Sequence, residues 1–163
     1  MTKQLYFEDV HEGVELPILE KLPTTKQLVK YAGASADYYQ IHYDQEFARD
    51  NGLPNVIIHG ALKNAFLGQI MTDWMGEYGT LKKLSARYHD IDIPGLPVYI
   101  KGRVKRTYTQ DQENLVECEV WMENHRGKKT TSGYAVVTLP SRYDQRENSD
   151  SRPGGPSIKR KRG

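Results

Sequence analysis

A chain of 163 residues with a formal charge of +2 is long enough for one domain around a single buried core. Its apolar share of 37% is low for such a domain, and the eleven tyrosines with the polar C-terminus account for much of that. No apolar run approaches the roughly 20 residues that span a bilayer, the start "MTKQLYFEDVHEG" lacks the basic and apolar stretches of a secretory signal, and the lone Cys118 excludes an internal disulfide and a cysteine metal cluster. A cytoplasmic protein without a membrane partner is expected.

In chain order, residues 14–22 read as a strand. "TTKQL" follows, where Thr24 can accept from a backbone N–H while Gln27 reaches back, a capping box that starts a helix through about Ala32. Leu28 and Val29 give that helix its apolar side, and Gly33 in "GAS" supplies the left-handed turn that ends it. "ADYYQIHYD" then sets Asp37 and His42 five residues apart among tyrosines. Asp44 caps a short helix, "QEFARDN", closed by Gly52. From Gly60 to about Trp74, apolar residues fall at Leu62, Ala65, Phe66, Ile70 and Trp74, broadened by Leu67 and Met71. Spacings of three and four in a stripe this wide predict a helix lying deep against another layer.

The second half supplies that layer. "LKKLSARYHDIDI" reads as a strand and "PGLP" as a turn. "VYIKGRVKRTYT" alternates Val98, Ile100, Gly102 and Val104 with Tyr99, Lys101, Arg103 and Lys105. "LVECEVWMEN" sets Val116, Cys118, Val120 and Met122 opposite Glu117, Glu119 and Trp121, and "HRG" turns into a last strand, "KTTSGYAVVTLP". Consecutive strands with one apolar face make an antiparallel meander. A sheet of this kind around one long helix is an α+β architecture.

Residues 141–163 read as a disordered basic tail outside the domain of residues 1–140. The tail holds seven Lys/Arg against three Asp/Glu, a surplus of four, so the first 140 residues of this +2 chain carry −2. The body is therefore not a basic nucleic-acid surface. Four basic residues in "IKRKRG", without aromatic partners, read as solvated charge rather than as a nucleic-acid site.

Most familiar site chemistry is missing. Ser35 in "GASA" is not in a GxSxG elbow, and there is no Walker loop, GxGxxG or HExxH. Asp90 and Asp92 in "HDID" share a strand face and, without partner histidines, read as exposed polarity rather than as metal ligands. No metal site is expected. Asp37 and His42 remain, together with the pair His59–Gly60 at the start of the deep helix. The Gly60 N–H is one of the donors a helix leaves unpaired, at the positive end of its dipole. A residue without a side chain lets a ligand oxygen approach that donor, as an oxyanion site requires, and glycine for close helix–sheet packing is the other reading.

The segment "YAGASADYYQIHYDQEFARDNGLPNVIIHGAL" resembles the hydratase signature of the MaoC-like, or (R)-specific enoyl-CoA hydratase, family, with similarity from about residue 5 to Pro140. The family motif S-G-D-x-N-P-(I/L/V)-H precedes an H-G pair, and here Asp37 and His42 fall on its acid and imidazole, with Gly60 eighteen residues beyond His42. The resemblance implies a hot-dog fold, a curved antiparallel sheet wrapped around a long central helix. It also implies reversible hydration of a trans-2-enoyl thioester, CoA-linked, to the (3R)-3-hydroxyacyl product. Asp37 would be the base on a water, His42 the proton donor to the α-carbon, and Gly60 N–H the donor to the thioester oxygen. His59 of the H-G pair, Tyr39 and Gln40 would line the substrate site, and Arg103, with Lys101 and Lys105, would meet nucleotide phosphates. No metal or redox cofactor is implied, CoA or acyl carrier protein being part of the substrate.

The chain departs from the motif at Ala36, where the family has glycine, and at Tyr39 and Gln40, where it has Asn-Pro. The lost amide is replaced by a phenol whose hydroxyl can substitute for it or whose ring can reshape the acyl pocket. The expected partner is a second copy, joined edge to edge, or a related hot-dog subunit in a heterodimeric dehydratase. A hot-dog acyl-CoA thioesterase is the alternative activity.

Overall fold

The deep helix of the sequence is α3, Gly60–Met75, and the other elements are arranged around it. The structure is a computed structural model and describes residues 4–143. Five strands form one antiparallel sheet: β1 (Leu19–Lys21), β2 (Thr80–Tyr88), β3 (Val98–Gln110), β4 (Glu113–Asn124) and β5 (Lys129–Thr138), in the order β1-β3-β4-β5-β2. Two shorter helices, α1 (Thr25–Ser35) and α2 (Gln45–Asp50), lie between β1 and α3 in the chain.

The predicted alternation builds the core. Val98, Ile100 and Val104 of β3 and Val116, Cys118, Val120 and Met122 of β4 are all at most 1% exposed. Cross-strand register sets Val104 opposite Cys118 and Ile100 opposite Met122. Leu62, Phe66, Leu67, Ile70 and Met71 of α3 join the same cluster. Each fully buried side chain of this size contributes about 1.5–3 kcal/mol, so helix-on-sheet packing dominates the stability of the domain. Burial in that core pushes the Cys118 thiol up to about 12, which leaves it an inert packing group.

The sheet's other face carries charge. Arg103 and Glu119 stand directly opposite, 3.4 Å apart, and Lys101 reaches Glu123 at 2.6 Å. A bulge between Val104 and Arg106 leaves Lys105 unmatched and brings Arg106 opposite Glu117, which it grips through two nitrogens at 2.6 and 2.7 Å.

Four sequence expectations are corrected here. The run 14–22 does follow β3, with Gly13 N–H on Val104 O and Leu16 N–H on Gly102 O, but Pro17 has no N–H to continue the ladder, and only Leu19–Lys21 forms a strand. Helix α1 does not stop at Gly33; it runs to Ser35, and the left-handed residue is Ala36, at φ 58° and ψ 21°. Strand β2 ends at Tyr88, so Asp90 and Asp92 are on a loop, and Asp92 is buried rather than exposed. Within α3, Ala65 is exposed and Lys63 is buried, which rotates the buried stripe by part of a turn.

Contacts with the body continue past Pro140. Ser141 is buried with its hydroxyl on Glu8 at 2.6 Å, and Arg142 grips both carboxylate oxygens of Asp9 at 2.6 and 2.7 Å. The rest of the expected tail, 144–163, lies outside the described residues. Among the described residues, no helix is long and apolar enough to cross a membrane.

Candidate active site

Thr24 caps α1 through the Gln27 N–H, at 3.2 Å, and the helix then carries the chain to Ala36. The left-handed turn at Ala36 reverses direction and presents Asp37 at the surface, its side chain 44% exposed. The Asp37 Oδ1 accepts from the Tyr39 N–H at 3.4 Å, which leaves Oδ2 as the oxygen that faces His42. Gln40–His42 form one 3-10 turn, fixed by the Tyr43 and Asp44 N–H groups on the Gln40 carbonyl at 3.1 and 2.8 Å. That turn brings His42 under Asp37: its Nε2 is 3.8 Å from Asp37 Oδ2, and its side chain is 8% exposed.

The tautomer of His42 is set by its other nitrogen. Nδ1 lies 2.7 Å from the Ile57 carbonyl oxygen, an acceptor only, so Nδ1 carries a proton and donates it there. Nε2 is then the nitrogen that faces Asp37. Ile57 is itself held to this turn, since its N–H donates to the Ile41 carbonyl at 3.0 Å.

The segment Ile57–Gly60 runs directly into α3. His59 is the N-cap residue and makes no capping hydrogen bond with its side chain. Among the described residues the Gly60 N–H, the first of the helix, also has no protein acceptor, and it stands at the positive end of a 16-residue helix. A Cβ built on Gly60 would stand 3.1 Å from the Tyr88 ring, so glycine here also serves close packing against the end of β2. An N–H without a protein acceptor and close packing are compatible at this position.

His59 was expected to line the substrate site. It is instead fully buried beneath His42, with the two rings stacked at 3.8 Å between centroids and 19° between planes. Tyr31 meets the His59 ring edge-on at 5.0 Å. Burial pushes the His59 imidazole below its usual range, nearby His42 adds to this, and Asp37 opposes it in part. His59 is thus the neutral ring of the pair. Asp37, His42 and His59 bring donor atoms within 4.8 Å of one another. Near-parallel rings, however, set their in-plane lone pairs side by side rather than toward one point, a poor geometry for a tetrahedral ion.

Tyr39 is 55% exposed, its ring edge-on to His42 at 6.4 Å and to Phe47 at 6.1 Å. Gln40 is exposed in the same turn, contributing its backbone carbonyl to the turn's hydrogen bonds. Arg103 is not brought to this cluster: it alternates with the helix-facing Gly102 and Val104, projects from the opposite face of the sheet, and is engaged by Glu119. Lys101 is likewise engaged by Glu123. Two of the three basic residues expected to meet phosphates, Lys101 and Arg103, are thus paired with cross-strand carboxylates, and Lys105 is exposed at the bulge.

Sequence reading missed Tyr88 over Gly60, the Ile57 carbonyl, and a buried ion pair between Lys63 and Asp92, 2.5 Å apart. The pair did leave a trace. Lys63 falls four and seven residues before Leu67 and Ile70, a charge set inside an apolar stripe.

Residues 9–132 match the profile of the MaoC like domain, and the chain belongs to that family. No curated protein matches it in sequence. Solved structures of similar shape include R-hydratase PhaJ1 from Pseudomonas aeruginosa, at TM-score 0.77 and 19% identity, covering 85% of this chain and 87% of that one. The (R)-hydratase from A. caviae involved in PHA biosynthesis aligns at TM-score 0.74 and 19% identity, covering 82% and 99%. The ChsH1–ChsH2 complex from Mycobacterium tuberculosis aligns at 0.70 and 20% identity, covering 78% and 97%. At these identities the likeness shows the fold, which is the hot-dog fold expected from the signature.

Proposed function

We propose that this protein catalyses the reversible hydration of a trans-2-enoyl thioester, carried by CoA, to the (3R)-3-hydroxyacyl thioester. The observation that carries the reading is the approach of Asp37 Oδ2 to His42 Nε2 at 3.8 Å, beside a helix N-terminus whose Gly60 N–H has no protein acceptor. A water above the gap can touch both groups. Asp37, ionised, takes one proton as the water oxygen bonds to the β-carbon. The electron pair of the double bond moves toward the carbonyl, and the negative charge on the thioester oxygen meets Gly60 N–H. His42, with Nδ1–H committed to Ile57, holds a second proton on Nε2 as an imidazolium and gives it to the α-carbon. The proton on Asp37 then returns to His42 across the same gap, which restores the starting state. Only water, protons and the thioester take part, so the reaction calls on no metal or redox cofactor.

His59 supports this assignment from behind, as a neutral ring stacked on His42. Tyr39 and Gln40 border the acyl path where the family signature has Asn-Pro. β2 is the longer of the two edge strands and is paired on one side only, by β5. A second hot-dog subunit, another copy or a related chain, is the partner this edge suits; the similar ChsH1–ChsH2 structure is of a complex. A single buried thiol suits a reducing compartment such as the cytoplasm.

The test is a series of trans-2-enoyl-CoA substrates, beginning with crotonyl-CoA and extending to longer and branched chains. The enoyl absorbance should fall while no free thiol appears, and the product should be the (3R) isomer. Thiol release in its place would make the protein a thioesterase and defeat the hydratase reading.

A further inference from the structure

We infer that the buried pair Lys63–Asp92 is a positioning device that holds His42 and the Gly60 N–H in mutual register. The inference rests on the hydratase reading only for its kinetic arm. The two side chains are 3% and 1% exposed, with Nζ to Oδ2 at 2.5 Å, and Nζ also donates to the Asp90 carbonyl at 2.7 Å. Pairs buried this deeply are weak stabilisers, because desolvation offsets most of their attraction and apolar residues of similar volume often serve as well. What the pair contributes is geometry.

The connections close on themselves. The Asp92 carbonyl accepts from the Ile58 N–H at 2.8 Å; His59 and Gly60 follow; the Lys63 N–H donates to the His59 carbonyl at 3.1 Å; and the Lys63 ammonium returns to Asp92. This circuit encloses the first turn of α3 and fixes where the Gly60 N–H points. Ile57 stands just outside it, bonded on one side to the Ile41 carbonyl at 3.0 Å and on the other to His42 Nδ1 at 2.7 Å. One loop residue, Asp92, thus ties the carbonyl that sets the His42 tautomer to the helix that supplies the oxyanion donor. Neither Lys63 nor Asp92 need touch the substrate.

The experiment uses the full chain with Lys63→Met and Asp92→Leu together, which removes both charges at similar volume and leaves no lone buried ion. The ring Nδ1–H of His42 is observed by proton NMR and assigned by its absence in His42→Gln. The expected result is a cooperatively folded variant that has lost or shifted this resonance and hydrates enoyl-CoA about 10- to 100-fold more slowly in kcat, with KM within about threefold. A folded variant that keeps both the resonance and kcat overturns the proposal. Should the double variant fail to fold, Asp92→Asn, which retains shape and removes charge, is read in the same way: a shifted resonance supports the role and an unchanged one overturns it. The resonance is measured without substrate, so a wrong choice of thioester cannot be mistaken for failure of the ion pair.

Discussion

The ring of His42 lies on the ring of His59 at 3.8 Å, and the two imidazoles have opposite situations. His42 donates to Ile57 and faces a carboxylate, whereas neither nitrogen of His59 makes a hydrogen bond of normal geometry among the described residues. Burial therefore holds His59 below its ordinary 6.5. In an NMR titration of the ring carbons, His59 should take up its proton at lower pH than an unfolded-chain histidine. The sign for stability follows: below pH 6.5 the unfolded chain binds a proton that folded His59 refuses, so this group's contribution is lost as pH falls through that range. A His59 midpoint at or above 6.5 would contradict the assignment of the neutral ring.

Ala36 holds a left-handed conformation that glycine adopts without steric cost, and it immediately precedes Asp37. Relief of that strain exceeds the extra freedom glycine brings to the unfolded chain, so Ala36→Gly should stabilise the fold by about 0.5–1 kcal/mol. Urea denaturation measures this directly. A loss of stability would mean that the turn at Ala36 is not the one described.

Gly60 separates packing from chemistry when it is changed together with its neighbour. In Gly60→Ala the new methyl meets the Tyr88 ring, although alanine at a helix start is otherwise favourable. Removing the ring in Gly60→Ala/Tyr88→Ala should return stability to that of Tyr88→Ala alone or above it. Hydration should remain about 10- to 100-fold down, because the methyl still crowds the oxygen that approaches the N–H. Recovery of full activity in the double variant would reduce Gly60 to a packing residue.

Acid should act on the outer face of the sheet. The paired hydrogen bonds from Arg106 hold the Glu117 carboxyl at about 2, against an ordinary 4.5. Its contribution is fully present above about pH 4.5 and disappears as pH falls through about 2. The stability difference between the parent and Glu117→Gln, followed by urea midpoint from neutral pH downward, should narrow across that window. A difference that stays constant to pH 2 would show that the ion pair does not form.

The legible parts of this protein were those set by local periodicity. Alternation in β3 and β4 named the buried residues, and the spacing in α3 located the helix, because one face of each must meet the core. The spacing of Asp37 and His42 was legible along the chain, and the fold sets the two side chains 3.8 Å apart, with Gly60 following the His59 that stacks on His42. What escaped depended on register and tertiary neighbours. Arg103 looked available until the β3–β4 register put Glu119 opposite it. Asp92 looked exposed because nothing local reveals that Lys63, 29 positions earlier, folds back to meet it. The contacts beyond Pro140 also escaped, because Ser141 and Arg142 find their partners at Glu8 and Asp9, at the far end of the chain.

The central claim is that Asp37 and His42 share one water. The most direct test compares Asp37→Asn and His42→Ala with the parent in a hydration assay on the best enoyl-CoA substrate. Each change removes one proton-transfer group, and each should lower kcat by about 100- to 10,000-fold with the fold intact by circular dichroism. Either variant hydrating at the parental rate would contradict the account.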